Sequence, residues 1–424
     1  TSNETSTGAE LVQNGNFSEL GSDLVTNGDF SAGGSNLVSN PNFTDLPLGA
    51  DWTVTDGAGT VTFGDSVAEI TKTSANPSVY LQQDYAVTLA ASHKLTYTIT
   101  ENTFTGSGTE LGLSGAGAYG GAVLNSSVAT HTVYLTVTDD TPTAALRFYS
   151  QGDGGSLKIS SISVQELGAD WSTSGGLEFT NDGAFFNVVG GTFTKCEQSL
   201  SYTIGNSYKV SFELTGDGST NEMKVMDDGG SSGGLNEVIE ISTATPTTHT
   251  FYFVANANSD SLYFKRNTPS GDYSFTIDNI TVQELDPNGY WTLVGSGLTI
   301  GEDKGIYTDA GVGSYFKNTS FVVVDGKTYR GSFDIPELTE GGLSWQTALG
   351  TVSISPNYGA ADTGLTFDFV GDGSTGIKCI GTTLDNTSAI TNLSVKLLGT
   401  YDDQSIYVTA ADVQTIAQAS VYYL

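Results

Sequence analysis

His131 and His249 are the residues of this 424-residue chain best placed by type to act as general bases. They lie 118 residues apart in matching contexts, His131-Thr132-Val133-Tyr134 and His249-Thr250-Phe251-Tyr252. Gly364 or a neighbour takes that place in a third copy. Equivalent positions on separate repeats cannot build one site, so both histidines are assigned to strand structure. His93 has no motif around it. Three Gly-Asp-Gly triplets, at 152–154, 216–218 and 371–373, have the composition of metal or phosphate loops. They follow the tryptophans that mark the repeats by 100, 45 and 80 residues. One repeated binding device would hold its offset, so these are read as turns. With 47 Asp and Glu, carboxylate pairs arise by chance, whereas glycoside hydrolysis needs two at a set separation in a cleft. The chain has no His-Glu-x-x-His pair, phosphate loop or Cys–His arrangement. The expectation is a protein with no catalytic residues that is not an enzyme.

Aromatic side chains offer a different chemistry, since their faces suit the apolar face of a sugar ring. Tyr119, Tyr290 and Tyr358 are the candidate glycan-stacking platforms. Trp52, Trp171 and Trp291 could stack in the same way, but each opens a repeat at the same position, which points to core packing.

Those tryptophans define the elements that must position any site. They sit in Ala50-Asp51-Trp52-Thr53, Ala169-Asp170-Trp171-Ser172 and Gly289-Tyr290-Trp291-Thr292, spaced by 119 and 120 residues. A closing landmark moves with them: Ile159-Ser160-Ser161-Ile162-Ser163-Val164, Ile277-Asp278-Asn279-Ile280-Thr281-Val282 and Ile390-Thr391-Asn392-Leu393-Ser394-Val395. Two landmarks shifting together mean three tandem copies. Between them, segments such as Lys94–Ile99, Tyr208–Leu214 and Tyr329–Ile335 alternate apolar and polar residues, the period of a half-buried strand. About eight short strands in about 118 residues predict an all-β chain of three jelly-roll-type β-sandwich modules. They are placed at 45–167, 168–285 and 286–398, with a C-terminal extension at 399–424 whose segment 410–419 alone hints at helical periodicity.

A shorter repeat fills residues 1–44. Leu11-Val12-Gln13-Asn14-Gly15-Asn16-Phe17, Leu24-Val25-Thr26-Asn27-Gly28-Asp29-Phe30 and Leu37-Val38-Ser39-Asn40-Pro41-Asn42-Phe43 recur every 13 residues. Each reads as a short strand broken by an Asn-Gly or Asn-Pro turn. The third is placed to open module 1. Leu11, Val12, Phe17, Leu24, Val25 and Phe30 then form surplus assembly strands, expected to pair with another chain by strand addition. The alternative is a duplication that folds back on module 1.

Net charge bounds the partners. Fifteen Lys and Arg against 47 acids give −32, which repels a phosphate backbone or an anionic leaflet. The chain has no run of 18 apolar residues, so no membrane insertion is expected, and Thr1–Glu4 show no secretion leader. Cys196 and Cys379 fall in different modules, so no structural disulfide is expected.

Leu-Val-x-Asn-Gly-x-Phe, a following Trp and a closing Ile-Asp-Asn-Ile-x-Val together resemble the jelly-roll carbohydrate-binding modules, which also occur in tandem in bacteriophage tail-fibre and virion-surface proteins. The resemblance spans most of residues 36–398. It implies a cell-surface glycan as partner, with a virion or sister subunits carrying the array as a homo-oligomer. A non-enzymatic tail or head fibre, or a capsid decoration, displayed on a virion or otherwise outside a cell, is the reading that follows. The alternatives are a binding array of a secreted bacterial protein, or a subunit of a filament or surface lattice. The family often holds a structural calcium through an acid after the Phe and the Asp of the closing strand. Here Ser18, Ser31 and Thr44 follow the phenylalanines and Asp278 alone matches the Asp, so no cofactor is expected, and calcium, which needs six to eight oxygens, lacks its ligand set in modules 1 and 3.

Overall fold

The computed structural model describes residues 8–31, 33–45, 51–55, 57, 59–73, 79–105, 111–113, 117–150, 154–230 and 232–398. The extension at 399–424, with the helical hint at 410–419, lies outside them. All regular elements among the described residues are strands, arranged as antiparallel two-sheet sandwiches.

The same layout occurs three times. In module 1 a long sheet runs in the order Gly59–Gly64, Val67–Lys72, Gly155–Glu166, Ser92–Asn102, Thr130–Thr136. A short sheet faces it, ordered Thr53–Thr55, Val79–Gln83, Leu146–Ser150, Leu111–Leu113, Val123–Leu124. Module 2 repeats this with Leu177–Thr180, Gly183–Val188, Tyr273–Leu285, Ser207–Gly216 and Thr247–Val254 in its long sheet. Its short sheet holds Ser172–Ser174, Lys195–Ser199, Ser261–Arg266, Glu222–Met226 and Asn236–Glu240. Module 3 has Leu298–Gly301, Lys304–Ala310, Asn386–Leu397, Thr328–Glu340 and Asp362–Val370 over Trp291–Val294, Tyr315–Val322, Thr375–Gly381 and Leu343–Thr347. Strict alternation, as in Val67–Lys72 and Val79–Gln83, sends every second side chain into the core and leaves the rest half-buried outside. Three separate apolar cores result.

The N-terminal repeat corrects the assembly-strand expectation. Its three units pack on three modules of the same chain, in reverse order. Val12 and Phe17 lie in the module 3 core, Phe30 in the module 2 core, and Val38 and Phe43 in the module 1 core. Leu11, Leu24 and Leu37 donate their amides to Val395, Val282 and Val164 of the three closing strands. Leu393, Ile280 and Ile162 return the bond to Gly15, Gly28 and Pro41. Between units one and two, Leu20–Asp23 pairs with Tyr273–Leu285. Leu11, Val12, Phe17, Leu24, Val25 and Phe30 are therefore neither surplus strands nor a fold-back on module 1 alone. The physical reason is that modules 2 and 3 lack an opening strand of their own, and an apolar segment close by in the same chain, not itself a regular strand, fills that edge without the entropy loss of bringing in a second molecule.

Each letter of the repeat has a task in this seam. Glu10, Asp23 and Asn36, one residue before each unit, accept backbone amides from both the unit and the closing strand: Val12 and Val395, Val25 and Val282, Val38 and Val164. Buried Gln83 and Gln198 clamp Ser39 and Thr26 through both ends of the side-chain amide. Asn318 fills the place in module 3, donating to Gln13 at 3.1 Å. The carbonyls of Asn40, Asn27 and Asn14 accept the indole N–H of Trp52, Trp171 and Trp291 at 3.2, 3.2 and 2.8 Å. Phe43, Phe30 and Phe17 pack on those indoles at 5.4, 5.3 and 4.3 Å between centroids. All three Asn and all three Phe have positive φ, a costly conformation for Phe that the burial of its ring offsets. A Cβ on Gly15 or Gly28 would lie 2.0 Å from a closing-strand carbonyl oxygen, so a side chain there forces the unit away from that strand.

Neighbouring modules meet through repeated contacts. The Ser92 and Ser207 hydroxyls accept the amides of Phe179 and Ile300 in the next module at 2.8 and 3.3 Å. Leu167 and Tyr134 pack into the module 2 core, and Leu285 and Tyr252 into the module 3 core. Module 3 has Asp368 where the others have these tyrosines, since Lys94 pairs with Tyr134, Lys209 with Tyr252 and Arg330 with Asp368. Arg330 holds Asp368 through two bonds of 2.7 and 2.8 Å. Module 3 thus carries an ion pair at the position where modules 1 and 2 present an aromatic ring to the next module.

Candidate functional site

The tyrosines singled out from sequence do not form open platforms. Tyr119 is buried and bonds Tyr85 through its hydroxyl at 2.8 Å. Tyr290 is half-buried against the module 3 core, and Tyr358 is half-buried with its ring edge-on to Phe333 at 5.1 Å. All three carry apolar rings that the sandwich uses. Trp52, Trp171 and Trp291 are 2%, 6% and 5% exposed, with their faces covered by the seam phenylalanines, so they present no stacking surface.

Half-buried aromatics with polar neighbours occur instead on the outer face of each short sheet. In module 1, Tyr80 and Tyr149 are cross-strand partners with ring centroids 6.5 Å apart. Arg147 lies over the Tyr80 ring at 5.2 Å and donates to Gln82 at 2.7 Å. Gly112, opposite Tyr149, leaves room for its ring, because a Cβ there would come within 2.7 Å of it. Two phenol rings, a guanidinium and an amide thus share one face, alternating with buried Val79, Leu81, Leu146 and Phe148.

Module 2 places Tyr263 on the corresponding face, with Lys195 over its ring at 5.2 Å. Lys195 also bridges Glu197 at 2.9 Å. Burial opposes the Glu197 charge, but bonds from Lys195, Tyr263 and Ser172 outweigh it and hold the carboxyl below its usual range. The bond to Glu197, with burial added, pushes the Tyr263 phenol up to about 12. In module 3 Lys378 lies over Tyr315 at 5.2 Å, with Lys317 its cross-strand partner. Arg147, Lys195, Lys224, Lys265, Lys317 and Lys378 make six of the chain's 15 basic residues on these three faces.

The remaining sequence candidates are structural. His131 and His249 occupy equivalent positions, packed on Tyr97 at 5.2 Å and on Phe212 at 5.7 Å, and Leu365 beside Gly364 takes the third place. His93 is 1% exposed, has no hydrogen-bond partner among the described residues, and is pushed down to about 4 by burial. Cys196 and Cys379 are buried free thiols in separate modules. Asp278 is raised by burial and by Asp29, Glu213 and Asp182 nearby. No group of three or more metal-type ligands forms among the described residues. In module 3 Thr391 stands in the place of Asp278, and Asn392, the counterpart of Asn279, donates to Asp334 as Asn279 donates to Glu213.

No family model matches the chain, and no curated protein matches its sequence. Solved structures similar to it include a family 4 carbohydrate-binding module, at 15% identity, TM-score 0.23, over 27% of this chain and 77% of that one. A family 61 module in complex with β-1,4-galactotriose is similar at 16% identity, TM-score 0.20, over 27% and 88%. The family 22 tandem domain of Paenibacillus barcinonensis Xyn10C is similar at 10% identity, TM-score 0.21, over 63% of this chain and 99% of that one.

Proposed function

We propose that this chain is a non-enzymatic glycan-binding array whose three short-sheet faces each hold sugar rings. The observation that carries the reading is the repeated pairing of a half-buried tyrosine with a cation on that face: Tyr80 with Arg147, Tyr263 with Lys195, Tyr315 with Lys378. An aromatic face takes the C–H face of a pyranose, while a flanking guanidinium, ammonium or amide fixes the hydroxyls. The Tyr80–Tyr149–Arg147–Gln82 face of module 1 is the most complete. The sequence resemblance to carbohydrate-binding modules supports the same ligand class.

Display outside a cell, on a virion fibre or head, is the setting proposed for the array, with an array on a secreted bacterial protein as the second reading. Leu11 bonds Val395 and Gly8 lies against Leu397, so both ends of the described chain leave module 3 together and module 1 stands farthest from them. That geometry suits presentation of faces from one point of attachment. A glycan array probed with the purified chain tests the binding. Tyr149→Ala and Tyr80→Ala are expected to abolish module 1 signals while melting stays unchanged; no signal on any glycan, or release of reducing ends from bound polysaccharide, overturns the reading.

A further inference from the structure

The outer face of the module 2 short sheet carries a feature that sugar stacking alone does not need. Lys195 on Lys195–Ser199 pairs directly with Lys265 on Ser261–Arg266, and Lys265 pairs directly with Lys224 on Glu222–Met226. Three lysines therefore stand side by side in one row across three strands. Each alternates with buried neighbours, Cys196, Phe264, Met223 and Val225, so all three point outward. Directly opposed like charges destabilise a sheet, and cross-strand Cβ atoms lie about 4.5–5.5 Å apart. This chain spends three of only 15 cations, against 47 acids, on that arrangement. Burial and then Lys224 push Lys265 below its ordinary range, with Asp228 acting in the opposite sense. Glu197 forms a direct ion pair with Lys195 at 2.9 Å. Farther along the same strands Glu222 pairs with Glu240, which bounds the cationic row on that side.

Module 3 repeats the row in shorter form. Lys317 pairs with Lys378, and Lys378 with Gln346. Module 1 has Gln82 beside Arg147 there. The faces are thus graded: one cation in module 1, three in module 2, two in module 3. In each the row runs beside a tyrosine, Tyr80, Tyr263 or Tyr315.

We infer that the module 2 face, and in lesser degree that of module 3, selects a glycan carrying carboxylate groups, with sugar rings on the tyrosine and the carboxylate across the lysine row. This rests on the glycan-binding reading above and narrows it. The ligand is a sparsely charged polymer and not a nucleic acid. A net charge of −32 repels a duplex with one phosphate charge per about 1.7 Å, whereas a uronate-type glycan spaces its charges by whole sugar units. At physiological salt the field of the distant acids is screened within about 8 Å, so the row acts at contact.

The experiment uses the full chain, with oligogalacturonate as probe and its fully methyl-esterified form as the uncharged control, titrated by calorimetry beside a neutral oligosaccharide that binds module 1. The free acid is expected to bind at least tenfold more tightly than the ester. Each of Lys195→Gln, Lys224→Gln and Lys265→Gln is expected to cut that affinity roughly fivefold, and the triple variant to abolish the preference while neutral binding persists. Equal affinity for acid and ester, or a preference that survives in the triple variant, overturns this inference and leaves the neutral reading standing. Failure of every glycan, neutral or charged, overturns both. Binding confined to sulfated glycans, with hyaluronan as the unsulfated carboxylate comparison, overturns the carboxylate assignment.

Discussion

The seam and the short-sheet faces lie on the same three modules and behave differently. Along the seam the contacts repeat: Glu10, Asp23 and Asn36 bridge the same amides, and three indoles bond three asparagine carbonyls. On the faces the framework repeats, but the side chains change from Tyr80–Tyr149–Arg147 to a lysine row to Tyr315–Lys378. Uniform seams imply one structural task done three times. Varied faces are what the proposed recognition calls for, adjusted module by module on a fixed support.

Mutations that strike the seam should carry the largest effects. Phe30→Ala empties a site 1% exposed between Trp171 and Phe179, and is expected to cost module 2 about 3–5 kcal/mol by calorimetric unfolding. Trp171→Ala should cost a similar amount, with the double variant losing less than the sum, because the two rings share one contact. A Phe30→Ala protein that melts like the parent would show that the seam is ornamental. Deleting residues 1–34 should destabilise modules 2 and 3 and spare module 1, readable as a split in the melting profile.

The next effect separates module 1 from the others. An unfolded histidine titrates near 6.5, whereas folded His93 titrates at about 4. The unfolded state therefore binds the proton first, and stability present above about pH 6.5 is lost as pH falls toward 4. The loss should approach about 3 kcal/mol in module 1, and His93→Leu should flatten it. Unfolding curves from pH 7 to 4 that show no such difference between parent and variant would refute the assignment. Gly28→Ala is expected to cost about 1–3 kcal/mol by forcing a methyl group against the Ile280 carbonyl. The smallest change should come from module 3: Arg330→Ala breaks an exposed pair and should cost no more than about 1 kcal/mol, as checked by chemical denaturation.

The repeating skeleton was legible because it is written in spacing. Trp52, Trp171 and Trp291 mark the same strand position, and alternation in segments such as Tyr208–Leu214 fixes which residues face inward. The destination of the N-terminal units was not legible from pattern alone. Their period of 13 bears no relation to the module period, and their order along the chain is the reverse of the modules they serve. A count was available, since three units match three modules, two of which lack an opening strand. The faces proposed to bind sugar were hidden for another reason. In Leu146-Arg147-Phe148-Tyr149 both alternating sets contain an aromatic, so sequence does not say which ring faces out. Register across the short sheet decides it, and the lysine row exists only across strands separated by up to 70 residues of chain.

Reverse order along the seam also sets a timetable for synthesis. Residues 37–43 leave the ribosome just before module 1 and can close its edge at once. Residues 24–30 must wait for Tyr273–Leu285, and residues 11–17 for Asn386–Leu397, the last described strand to emerge. The nascent chain therefore zips from residue 43 backward, each module capturing the next unit as it forms. Because module 1 already holds the nearer unit, each later search spans a short tether and not the whole chain, which keeps the closure entropy low. Until that strand arrives, residues 11–17 lack the edge they close, so the earliest of the three units is the last to be fastened.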